Sequence, residues 1–149
     1  LPREPFAAFF ALSDEELASR GARRCIADKK PGFPCRVSLV DAEQGERVIL
    51  LPYQYHDVAS PYRASGPIYV REHAQQATPE INEIPDAIRR RLLSVRGYDH
   101  SGFMIDCEVT EGRELQEKID RFFADSRVAY LHLHNARPGC YSCRVDRIP

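Results

Sequence analysis

The stretch LQEKIDRFFADSRVAYLHLHNARPGCYSCRVDR, residues 115–147, decides the fold. Leu115, Ile119, Phe122 and Phe123 recur at the spacing of an amphipathic helix. Asp125 and Ser126 close that helix, and from Arg127 to His134 the period drops to two. Ala129, Leu131 and Leu133 then share an apolar face, while Tyr130, His132 and His134 share a polar one. Asn135-Ala136-Arg137-Pro138-Gly139 is turn chemistry, and Cys140 to Arg147 reads as a returning strand. A helix followed by an antiparallel hairpin predicts an α+β fold.

The rest of the chain extends this pattern towards the N-terminus. Ser13, with Glu16 three residues on and Leu12 and Leu17 around it, spells a capping box and hydrophobic staple for a helix from Asp14 to about Arg20, stopped by Gly21. Arg23–Ala27 and Cys35–Val40 read as strands of a hairpin around Lys29-Lys30-Pro31-Gly32, and Val48–Leu51 as a buried strand. Pro52 to Pro67 reads as a long Tyr-rich loop, followed by a short strand at Ile68–Arg71. Ile84, Ile88 and Leu92, spaced by four, predict a helix with Arg89–Arg91 on its wet side, and Met104–Val109 reads as a strand. No linker divides the chain, so one domain over residues 1–149 is expected, with a curved, mostly antiparallel sheet and two or three helices on one face.

Composition narrows the function classes. The 149 residues are 43% hydrophobic and 29% charged with a formal net charge of -1. The 18 Arg and 3 Lys are balanced by 22 acids, so no basic field is available for a nucleic acid. No apolar run approaches the ~20 residues of a membrane span. Cys25, Cys35, Cys107, Cys140 and Cys143 make an odd set that fits a reducing cytoplasm better than a disulfide framework.

The candidate chemistry gathers on the C-terminal hairpin. With a five-residue loop at 135–139, His134 stands opposite Cys140, His132 opposite Ser142 and Tyr130 opposite Arg144, while Tyr141, Cys143 and Val145 face inward. His134 beside Cys140 can lower a thiol pKa, so Cys140, His134 and His132 are the catalytic candidates. The bland alternative is that His134 bonds the loop backbone. His132, His134 and Cys140 are also residue types that zinc or iron accepts, which makes a metal site the alternative reading. Arg63, Ser65 and the Gly66 backbone could hold a carboxylate or phosphate, although a tight turn needs the same residues. Tyr98, in Arg96-Gly97-Tyr98-Asp99-His100, and Arg144 complete the substrate-binding set.

Four blocks carry a family resemblance: Pro31-Gly32-Phe33-Pro34-Cys35-Arg36-Val37-Ser38-Leu39, Pro61-Tyr62-Arg63-Ala64-Ser65-Gly66-Pro67-Ile68-Tyr69-Val70-Arg71-Glu72, Arg91-Leu92-Leu93-Ser94-Val95-Arg96-Gly97-Tyr98-Asp99 and His132-Leu133-His134-Asn135-Ala136-Arg137-Pro138-Gly139-Cys140. Together they resemble the bacterial domain of unknown function family 1203. The resemblance implies a small bacterial protein and carries over no activity and no site residues. The expectation from the residues is a protein that binds a small anionic molecule, with catalysis through a Cys/His/Arg pocket and no cofactor. A metal-binding protein and a homodimeric interaction domain are the alternatives.

Overall fold

The computed structural model describes residues 1–148 and is α+β. Its strands form two antiparallel sheets. One holds β1 (Arg23–Ile26), β2 (Arg47–His56) and β3 (Ala64–Arg71) in that order. The other holds β4 (Leu92–Tyr98), β5 (Met104–Glu111), β6 (Tyr130–Asn135) and β7 (Tyr141–Asp146) in the order β5-β4-β6-β7. The residues gather into two compact units, Leu1–Tyr53 with Pro67–Ala87 and Gln54–Gly66 with the chain from Ile88 onward. β2 and β3 each contribute to both.

In the first unit, Phe6, Leu17, Val37, Ile49, Leu51, Ile68 and Val70 form the buried core. Two short helices precede the sheet, α1 (Glu4–Ala7) and α2 (Asp14–Ser19). The expected capping box is present at α2: the Glu16 N–H donates to Ser13 Oγ at 3.1 Å, and the Ser13 N–H donates to Glu16 Oε2 at 2.7 Å. These bonds satisfy amides at the helix N-terminus. Ser13→Ala is expected to cost ~1 kcal/mol in urea unfolding, and a midpoint unchanged from wild type would show the cap to be dispensable.

The expected strand at 35–40 is instead a turn. The Cys35 N–H donates to Val40 O at 3.0 Å and the Leu39 N–H to Cys35 O at 3.1 Å, with Leu39 at φ 51°. Isolated bridges, Pro34 to Asp41 and Cys35 to Tyr69, stand in place of a strand ladder. Local closure removed the backbone groups that strand pairing needs. The long loop expected at 52–67 is also shorter than read, because β2 continues to His56 and β3 begins at Ala64.

The second unit is built on the four-stranded sheet. α4 (Leu115–Ala124) follows β5, as its periodicity predicts, and packs against it. Leu93, Val95, Leu131 and Leu133 are buried on the apolar face. Gly97 lies on the same face, where an added Cβ would fall 2.8 Å from the Phe122 ring and 3.2 Å from Val128. The helix expected around residues 84–92 is only α3 (Asp86–Arg89), and Leu92–Tyr98 is the strand that joins β5 to β6. Alternation of Leu93, Val95 and Gly97 with Ser94, Arg96 and Tyr98 suits a strand between two neighbours.

Candidate functional site

The opposite face of the four-stranded sheet carries the imidazoles. Cross-strand partners lie on one side of a sheet, so the registers define rows across this face. Cys107 pairs with Arg96, Arg96 with His132, and His132 with Arg144. The next row runs Met104, Tyr98, Tyr130 and Asp146. On the other side Ser94 pairs with His134 and His134 with Tyr141.

This hairpin register differs from the one read in the sequence. The Asn135 N–H donates to Cys140 O at 2.9 Å and the Gly139 N–H to Asn135 O at 2.8 Å, so pairing reaches Asn135 and the loop is one residue shorter than expected. A register shift between Leu133 and His134 widens the offset to two residues, so Tyr141 faces His134, Cys143 faces Leu133 and Arg144 faces His132. Tyr141 therefore joins the polar face instead of the apolar one. Gly139, at φ 76°, supplies the left-handed residue that this turn requires.

Residues 54–66 bring Tyr55 and His56 over that face. The His56 ring centroid lies 4.3 Å from Tyr98, 4.8 Å from His132 and 5.9 Å from Tyr130. Tyr55 stacks on Tyr141 at 5.1 Å and meets the edge of His134 at the same distance. Tyr98 and Tyr130 stack at 5.5 Å. All six residues of β6 are buried, so the expected polar face is enclosed.

Hydrogen bonds orient two of the rings. His56 Nδ1 donates to the Tyr62 carbonyl at 2.8 Å, leaving Nε2 to accept from the Tyr130 hydroxyl at 2.7 Å. His134 Nδ1 donates to Gly139 O at 2.9 Å, which is the loop-backbone bond of the bland reading. His132 is different: it is 1% exposed and its buried Nδ1 has no hydrogen-bond partner. Burial, reinforced by His56, His134, Arg144 and Arg96, pushes its pKa down to about 3, so the ring is neutral at physiological pH. Burial likewise raises the Tyr98 and Tyr130 hydroxyls, against the pull of Arg96 on the first and Arg144 on the second.

The two arginines of the His132 row are less enclosed. Arg144 places its guanidinium carbon 3.9 Å above the Tyr130 ring and pairs with Asp146 at 2.7 Å. Arg96 is half-buried and donates to Ser94 Oγ at 3.2 Å. Among the described residues, no carboxylate forms an ion pair with Arg96. At the edge of the cluster Tyr62 meets Tyr98 at 6.1 Å and Phe103 at 6.3 Å, and both Tyr62 and Phe103 are exposed. Ser60 Oγ donates to Gly102 O at 2.9 Å and anchors the 57–63 loop there.

Of the residues expected from the sequence, the cluster thus unites Tyr98, His132, His134 and Arg144. Cys140 is half-buried in the turn, and its sulfur accepts from Asn135 Nδ2 at 3.3 Å. Arg63 is exposed and paired with Asp57 at 2.7 Å, and Ser65 is exposed on β3. Among the described residues no group of three or more His, Cys, Asp and Glu is arranged to hold a metal ion. Among the described residues no disulfide is formed.

His56, Tyr55, Tyr141 and Arg96 are the members that sequence reading missed. Alternation within residues 92–98 is the signal that could have placed Arg96 beside His132. Nothing local marks His56, because its partner Tyr130 is 74 residues away.

These features define an α+β protein with an enclosed imidazole–phenol cluster bordered by two arginines. The family model described as "Protein of unknown function (DUF1203)" matches residues 32–147, and the chain belongs to that family. No curated protein and no solved structure gives a significant match. Among the described residues no helix is long and apolar enough to cross a membrane.

Proposed function

We propose that this protein binds a small anionic molecule at the Arg96–His132–Arg144 row. The observation that carries the reading is the row itself: two guanidiniums flank a neutral imidazole, and Arg96 forms no ion pair with a carboxylate among the described residues. A half-buried guanidinium without a counter-charge is costly, and a carboxylate or phosphate oxygen matches its forked donors. The neighbouring rings already pack on one another at 4.3–6.3 Å, so the reading favours a compact anion over an aromatic ligand. His132 adds a polar atom in need of a partner. Five cysteines with no disulfide among the described residues suit a reducing cytoplasm for this activity.

Oxalate and inorganic phosphate are the probes. Either should raise the melting temperature at constant ionic strength, and Arg96→Gln or Arg144→Gln should weaken binding at least about tenfold, or ~1.4 kcal/mol. An unchanged shift in the double variant would remove the basis of this reading.

A further inference from the structure

Resting on that anion site, we infer that Tyr130 and His56 form its proton-transfer pair and that the ligand is a small 2-oxo acid whose enolisation they promote. Three observations converge on Tyr130. His56 is held from behind by the Tyr62 carbonyl, so that its Nε2 lone pair faces the Tyr130 hydroxyl at 2.7 Å. Such an arrangement, with a base oriented by a third group, prepares a hydroxyl for proton transfer. The Arg144 guanidinium lies 3.9 Å from the Tyr130 ring centroid, where positive charge favours the phenolate as it forms. Arg96 and Arg144 then serve the two negative centres of the reaction, the carboxylate and the oxygen on which charge develops.

Burial raises the pKa of Tyr130, opposed by Arg144 and reinforced by Asp99 and Asp146. Tyr98 stacks at 5.5 Å, His132 lies at 5.5 Å and remains neutral, and Arg96 belongs to the adjacent row. The hydroxyl therefore rests protonated and ionises only as His56 accepts its proton.

The step balances without an oxidant or metal. The Tyr130 O–H proton passes to His56 Nε2, and the phenolate removes a proton from the carbon next to the substrate carbonyl. The C–H electron pair forms the C=C bond, and the carbonyl π pair moves to oxygen to give the enolate. His56 returns its extra proton to solvent, Tyr130 keeps the substrate proton, and the released enolate takes one back from water.

The test uses two probes on the same protein. Oxalate, a planar mimic of the enolate, reports the anion site by thermal shift. Proton NMR of pyruvate in D2O reports washout of its methyl protons. Wild type should bind oxalate and accelerate washout. Tyr130→Phe keeps the ring beneath Arg144, so it should retain oxalate binding within about threefold while washout falls about 100-fold or more. His56→Gln should lose washout likewise, whereas Arg144→Gln should weaken oxalate binding as well. Oxalate binding without wild-type washout, or full washout in Tyr130→Phe, would overturn the proton-transfer pair and leave the anion site standing. Failure of wild type to bind oxalate or phosphate would overturn the anion site, and the inference with it.

Discussion

Acidification from pH 7 to pH 4 is expected to cost wild-type protein about 3 kcal/mol more stability than it costs His132→Phe. His132 has a pKa of about 3 in the fold, against the ordinary value near 6.5 in an unfolded chain. Between those values the unfolded chain binds a proton that the native state refuses. Stability is therefore fully present above pH 6.5 and is lost as pH falls towards 3. The cause is burial first, then the positive and imidazole neighbours His56, His134, Arg144 and Arg96.

Phenylalanine fills similar space without titrating, and it removes the unpartnered Nδ1. At pH 7 the variant should accordingly be at least as stable as wild type, since an unsatisfied buried polar atom costs ~1–3 kcal/mol. Carboxylates such as Asp125, held at about 2 by Arg127, titrate equally in both proteins and cancel in the comparison. Urea unfolding of the two proteins at pH 7 and pH 4 reads the difference directly. Parallel pH dependences would mean that His132 is protonated in the fold, contrary to its burial among cations.

Gly112→Ala is expected to destabilise the protein by about 3 kcal/mol or more. Gly112 opens the turn that leads from β5 into α4, and its N–H donates to Arg91 O at 2.7 Å. A Cβ there would fall 2.2 Å from the carbonyl oxygen of Ile88 and 2.7 Å from that of Arg89. Both obstacles are backbone, so no rotamer change relieves them, and the two segments must separate. Gly66→Ala makes a fair control, because its Cβ would meet only the Tyr55 ring at 3.3 Å. Equilibrium unfolding should rank Gly112→Ala well below Gly66→Ala; a loss under 1 kcal/mol at Gly112 would contradict this packing.

The elements that sequence reading found are those whose information is local. α2 needed only Ser13, Glu16 and their apolar neighbours, and α4 needed only the spacing from Leu115 to Phe123. The alternation at Tyr130–His134 showed which side chains share a face, and family membership over residues 32–147 was legible in four sequence blocks. β4 was read as the end of a helix because Ile84, Ile88 and Leu92 imitate a helical stripe while Leu92 in fact begins a strand. Cys35–Val40 alternates like a strand, but the Cys35 and Leu39 amides close back within the segment. In both cases competing periodicities could be resolved only by where the backbone found partners.

The candidate site divides in the same way. Composition and the 115–147 pattern by themselves determined an α+β protein with a polar strand face bearing Tyr130, His132 and His134. Tertiary structure decided that this face is enclosed, that Arg96 and Arg144 border His132, and that His56 meets Tyr130. The physical reason is range: a side chain's face follows from the two-residue period of its own strand. Its desolvation, tautomer and charge follow from groups brought near it by pairing and burial, and those include groups 74 residues away along the chain.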